Sequence, residues 1–146
     1  MIKATYHRRR VDPQALERLE KALTGPTSVK VGLPREDTNE EIVERAVHAE
    51  FGSARQVERP FLRNTMAENR GRYRTELRRA ATALVQGETT LIEAMDAIGA
   101  TVATDMRQAM SETAPLSTAT IERKGSDEQL VETGELRDAI THRVEE

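Results

Sequence analysis

The chain has 146 residues, a formal net charge of −3 and 32% charged residues, but only 37% hydrophobic and 3% aromatic residues. This length suits one domain, 1–146, with a modest aliphatic core. The absence of cysteine excludes disulfides and thiolate metal sites. The first ten residues lack the apolar segment of a signal peptide, and no apolar run is long enough to span a bilayer. We therefore expect a protein that folds in the cytoplasm and has no membrane partner.

The charges are grouped in blocks along the chain. Residues 1–10 carry +4, residues 36–50 carry −5, residues 55–79 carry +5 and residues 122–146 carry −4. Blocks of opposite sign can pair within one subunit or between neighbouring subunits. They can equally be the solvated faces of helices. The sequence leaves both possibilities open.

The start of the chain predicts two strands and a helix. Residues 2–6 and 28–33 alternate between apolar and polar side chains, which indicates two half-buried strands. Between them, Asp12 has the character of a helix cap, and Pro13 suits the first position of a helix. That helix is predicted to end at Gly25.

Two further helices are predicted in the middle. Thr38 and Glu41 have the spacing of a capping box, so one helix begins there and ends at Phe51. The longest helical region opens at Pro60, runs to about Val85 and is broken by Gly87. Its predicted apolar face consists of Tyr73, Leu77, Ala80, Ala81 and Leu84.

Thr90 and Glu93 form a second capping box, and the helix that follows has the clearest apolar stripe in the chain. This helix is predicted to end before Pro115. Its methionines suit either a core or an adaptable binding groove, and we interpret them as core. The stripe comprises Leu91, Met95, Ile98, Val102, Met106 and Met110.

The tail after this helix contains several short signals. A helical turn is predicted at 117–123, and Thr133 is placed to cap another turn across 134–139. Residues 140–144 alternate and predict a closing strand. Together the elements predict an α+β fold, in which a small, mostly antiparallel sheet packs against several helices.

No catalytic constellation is present in the sequence. There is no cysteine nucleophile, and no HExxH, GxSxG, P-loop or GxGxxG pattern occurs. The acids lie on predicted polar faces, which gives no support for a pair of catalytic carboxylates. We therefore expect no enzymatic activity, no cofactor and no metal.

Four short segments resemble the tail-completion, or neck, proteins of long-tailed bacteriophages, the minor tail proteins of the lambda Z type. They are AVHAEFG at 46–52, RPFLR at 59–63, PLSTATIERK at 115–124 and LVETGELRDAI at 130–140. The resemblance covers about residues 28–144. The loop 53–58 departs from it, because relatives often approach the RPF segment through an Ile-Pro type of sequence. The residues that carry the resemblance are Phe51, Gly52, Arg59, Pro60, Phe61, Pro115, Leu116, Thr120, Ile121, Lys124, Thr133, Gly134 and Leu136.

The resemblance implies a structural virion protein that completes the tail or joins it to the head. It further implies a homo-oligomeric ring, a hexamer in preference to a dodecamer, that binds connector, tail-terminator or tail-tube proteins near the DNA channel. Each motif residue can also be interpreted by its role in local structure; for example, we expect a left-handed conformation at Gly52. For four apolar motif residues we expect a role in the fold rather than in partner contact: Phe51, Phe61, Leu116 and Leu136.

Two other functions remain open. One is a nucleic-acid-binding module that uses the arginine-rich helix at 59–79 to contact phosphates. The other is a regulatory or toxin–antitoxin-like domain with a single protein partner. The candidate basic residues, facing DNA or a neighbouring subunit, are Arg70, Arg72, Arg74, Arg78 and Arg79.

Overall fold

The computed structural model describes residues 13–26, 28–34, 36, 38–54, 58–112 and 134–145. The elements in chain order are α1 (Pro13–Leu23), β1 (Ser28–Gly32), α2 (Glu40–Phe51), α3 (Phe61–Gln86), α4 (Leu91–Glu112), a short helix at 134–138 and β2 (Thr141–Glu145). The fold is α+β with one long helix in the middle, as predicted. Four predicted features lie outside the described residues: the strand at 2–6, the cap at Asp12, the turn at 117–123 and the cap at Thr133.

The sheet joins two strands from distant parts of the chain. β1 and β2 pair antiparallel, with Val29 opposite Val144 and Val31 opposite His142. The closing strand begins one residue later than predicted, because the Ile140 amide donates to the carbonyl of Arg137 and its carbonyl accepts from Arg107, so the buried Ile140 is not part of the ladder. The short helix 134–138 thus leads through a buried residue directly into the sheet.

Helix α4 forms the centre of the core. Its predicted stripe is confirmed, since Val102, Met106 and Met110 are all buried and Ile98 packs against them. The sheet and α3 both pack against α4. Because Met106 and Met110 are enclosed, their contribution is core packing rather than an open groove.

The turn between α3 and α4 is determined by local chemistry, as predicted. Gly87 adopts the left-handed conformation (φ 77°, ψ 18°), and its amide donates to the carbonyl of Leu84 over 3.1 Å. Glu93 Oε2 then accepts from the Thr90 amide (2.9 Å), and the Glu93 amide donates to Thr90 Oγ1 (3.2 Å). This reciprocal capping box starts α4 immediately after α3 has ended.

Two local predictions were wrong. Helix α2 is capped by Asn39 rather than Thr38, because Asn39 Oδ1 accepts the Glu41 amide over 3.1 Å. On α3, Tyr73 and Leu84 are buried, but Leu77 is 51% exposed and Ala81 is also exposed. The buried side of α3 is therefore rotated away from Leu77 and Ala81, towards α4.

Gly99 on α4 is required by the close approach of the sheet. A Cβ atom at this position would lie 2.6 Å from His142 Cδ2 and 2.7 Å from Val29 Cγ2. We expect Gly99→Ala to lower the free energy of unfolding by about 1–3 kcal/mol, because the His142 ring and the Val29 side chain must move to make room for the added methyl group. The control is Gly71→Ala on α3, where an added Cβ meets nothing within 4 Å and should stabilise by about 0.5–1 kcal/mol. Urea unfolding measures both changes, and equal effects would contradict the predicted close packing.

The capping box should make stability depend on pH. Hydrogen bonds from the Thr90 amide and hydroxyl hold the pKa of Glu93 below its ordinary value of 4.5. Its contribution to folding is therefore present above that value and is lost as the pH falls through the lowered pKa. We expect Glu93→Gln to be less stable than the native chain at neutral pH, with the difference shrinking in acid. Urea unfolding across pH measures this difference, and a difference independent of pH would refute the prediction. Thr90→Ala should remove most of the same pH-dependent contribution of Glu93 to the free energy of unfolding.

Candidate interaction surface

Glu50 is a buried acid that connects α2 to α3. It lies in the last turn of α2 and is only 3% exposed. Its Oε2 accepts the Leu62 amide over 2.9 Å, and its Oε1 accepts the Arg63 amide over 3.0 Å. These amides belong to the first turn of α3, where N–H groups have no partner within the helix. Pro60, at the N-cap position, has no side-chain cap, so Glu50 caps α3 from a neighbouring helix.

The position of Glu50 has an electrostatic reason. A carboxylate is unfavourable at the C-terminal end of its own helix, where the helix dipole is negative. The positive N-terminal end of α3 and the Arg63 guanidinium offset that cost. Arg63 Nε donates to Glu50 Oε1 over 3.0 Å, and Arg63 Nη2 donates to the Glu50 carbonyl over 2.5 Å. One arginine therefore holds both the side chain and the backbone of Glu50.

The same arginine contacts the exposed Phe51 ring. The Arg63 guanidinium carbon lies 5.0 Å from the centroid of the ring, a cation–π arrangement. Phe51 itself is 63% exposed, and the expectation that it has a role in the fold rather than in partner contact stays a prediction. The ring is held in place by Arg63 and presents most of its surface to solvent.

The remaining motif residues near this junction have structural roles. Phe61 is buried, as expected, and the Arg59 amide donates to the carbonyl of Ala49 over 2.6 Å. Gly52 has a positive φ of 76°, but its ψ of 176° is extended, so the predicted left-handed helical conformation is not adopted. The segments 46–52 and 59–63 therefore form one packed unit on either side of a loop.

The motif residues of the tail are only partly described. Gly134 begins the short helix 134–138, and Leu136 is buried in the core. Arg107 of α4 donates from Nε and Nη2 to the carbonyl of Ile140 over 3.1 and 2.5 Å, which ties this helix to α4. Six motif residues lie outside the described residues: Pro115, Leu116, Thr120, Ile121, Lys124 and Thr133.

The five candidate basic residues divide into two groups. Arg72 pairs with Asp105 of α4, and the Tyr73 hydroxyl donates to the same carboxylate over 2.7 Å. Burial and the bond to Asp105 raise the pKa of Tyr73. Arg72 thus joins α3 to α4, although its side chain is itself 45% exposed. The other four residues are exposed on α3: Arg70, Arg74, Arg78 and Arg79.

No protein-family model matches the chain, and neither a curated protein nor a solved structure matches it significantly. The resemblance to phage neck proteins therefore remains a prediction. Among the described residues, no helix combines the length and apolarity needed to cross a membrane. Across the same residues, no group of three or more His, Asp or Glu side chains is placed to hold a metal ion.

The sequence offered one overlooked signal for Glu50. The pattern predicts that the acids lie on polar faces, yet an acid in the last turn of a helix opposes the helix dipole. Such a residue requires a positive partner, and RPFLR supplies both a helix start and an arginine shortly afterwards. Asp105 and Arg107 carry no comparable signal, because their partners lie on distant elements.

Glu50 should be important for stability. Glu50→Ala leaves two amides of α3 and the Arg63 guanidinium without their buried acceptor, so we expect a loss of about 1–3 kcal/mol in the free energy of unfolding. The matched control is Glu44→Ala, an exposed acid on the same helix, with an expected change within about 0.5 kcal/mol. Thermal and urea unfolding measure both variants. Equal stability of the two would show that Glu50 is not a structural cap.

Proposed function

We propose that this chain is a structural protein of the bacteriophage neck that completes the tail or joins it to the head. It acts as a ring-forming adaptor, with a hexamer favoured over a dodecamer. The observation that carries the proposal is the junction of α2 and α3. Two of the four segments that resemble neck proteins meet there, linked by Glu50 and Arg63, and they present an exposed phenylalanine.

The surface features suit assembly with other proteins. Large apolar side chains remain exposed on both α2 and α3: Val47, Phe51, Met66, Leu77 and Val85. Exposed acids lie in the first turns of α2, whereas exposed arginines lie along α3. Adjacent charged and apolar patches favour specific protein contacts.

The mechanism that we propose is ordered assembly. Contacts between unlike surfaces of neighbouring copies close a ring. Each completed ring presents a surface that fits the next component, so geometry enforces the order of addition. The partners would be the connector or adaptor, the tail terminator or the tail tube, and the site would be the virion neck after assembly in the host cytoplasm.

A nucleic-acid-binding module is the second candidate. The exposed arginines Arg70, Arg74 and Arg78 recur at four-residue spacing on one side of α3, where they could follow a phosphate backbone. The net charge of −3 opposes general attraction to DNA. Passage of DNA through a ring would also bring this face near the nucleic acid without specific binding.

The ring is tested by the mass of the purified chain in solution. Light scattering over a concentration series is expected to reveal a species of six times the 16.3 kDa chain mass, and negative-stain images should contain rings. A chain that stays monomeric throughout would overturn the ring-forming adaptor. The coding sequence is also expected to lie beside genes for portal, capsid and tail-tube proteins, and different neighbours would overturn the assignment to the neck.

A further inference from the structure

We propose that the outer face of α2 in one copy docks alongside the outer face of α3 in a second copy. The inference rests on the proposed self-assembly and identifies the surfaces that carry it. Each face is an exposed stripe along one side of its helix. The two stripes have opposite charge at one end and apolar side chains at the other.

The α2 stripe comprises Glu40, Glu44, Val47 and Phe51. All four residues are exposed, and Val47 and Phe51 are 48% and 63% exposed. At 3.6 residues per turn they lie on one side of the helix. The N-terminal half of the stripe is therefore acidic and its C-terminal half is apolar.

The α3 stripe comprises Arg74, Arg78, Ala81 and Val85. These residues are also exposed, and Val85 is 65% exposed. They share one side of the last three turns of α3. This stripe begins with two bases and ends with two apolar residues.

The two stripes have the same internal spacing of four, three and four residues. Alternating steps of three and four residues are those by which helices pack side by side in a coiled coil. In a parallel arrangement the two acids of α2 meet the two arginines of α3. Val47 and Phe51 then meet Ala81 and Val85, and the small Ala81 lets the helices approach closely. An antiparallel arrangement would place acids against apolar residues.

The stripes cannot meet within one chain. Phe51 lies against Arg63 in the first turn of α3. Val85 is six turns further along the same continuous helix, roughly 33 Å away at 1.5 Å per residue. A second copy supplies the complementary stripe in full, whereas DNA would match the two arginines but neither the acidic stripe nor the apolar halves.

The test uses two charge-reversed variants of the full chain. Glu40→Arg/Glu44→Arg reverses α2, and Arg74→Glu/Arg78→Glu reverses α3. Either variant alone is expected to raise the concentration needed for assembly at least about tenfold, because like charges then face each other. Mixing the two variants should restore assembly, since every contact in an alternating assembly is again between opposite charges. The controls are Glu41→Arg and Thr75→Glu, which change exposed positions beside the stripes and should assemble like the native chain.

Light scattering separates the outcomes, with circular dichroism to verify that each variant is folded. Restored rings on mixing support both the inference and the ring proposal. Restored dimers support the paired stripes but overturn the ring. Native-like assembly of both variants overturns the inference and leaves the ring intact. If the native chain is monomeric, and binding of duplex DNA is lost only in the Arg74→Glu/Arg78→Glu variant, the stripe is a DNA contact and the inference fails.

Discussion

The contact between Glu50 and the first turn of α3 determines how α2 and α3 meet. A carboxylate at 3% exposure would be costly without partners. Here it accepts two backbone amides and an arginine, so the position and direction of α3 relative to α2 are fixed together. The same arginine that neutralises Glu50 also supports the Phe51 ring at the surface. The exposed Phe51 ring is thus held in place by an arginine that is itself bound to the buried Glu50 carboxylate.

The packing of the two-stranded sheet against α4 is a second constraint on the fold. The strands of the sheet come from distant parts of the chain, and each depends on α4 for its buried face. Gly99 admits Val29 and His142 at close range, while Arg107 binds the carbonyl of Ile140. An isolated two-stranded sheet is only marginally stable in water. The helix therefore supplies the packing that the small sheet cannot provide by itself.

The outward faces of α2 and α3 are the features on which the proposed assembly depends. The inner sides of both helices contribute buried residues to the core, whereas the charged and apolar side chains of the two stripes are exposed. A helix face that is charged at one end and apolar at the other favours a single orientation of a partner. The proposed neck function and the proposed pairing of copies both depend on this division between inner and outer faces.

Local chemistry in the sequence determined the secondary structure. The Thr90–Glu93 capping box, Gly87 and the apolar stripe of α4 involve residues a few positions apart, so their interactions were predictable from spacing. The sequence carried a signal that Glu50 needs a positive partner, but the tertiary structure alone decided that Arg72 pairs with Asp105 and that Phe51 is exposed. Those outcomes depend on which helix lies beside which. A burial pattern with a period of 3.6 residues specifies that a helix has an inner side, but not which charged group the neighbouring element will bring to it.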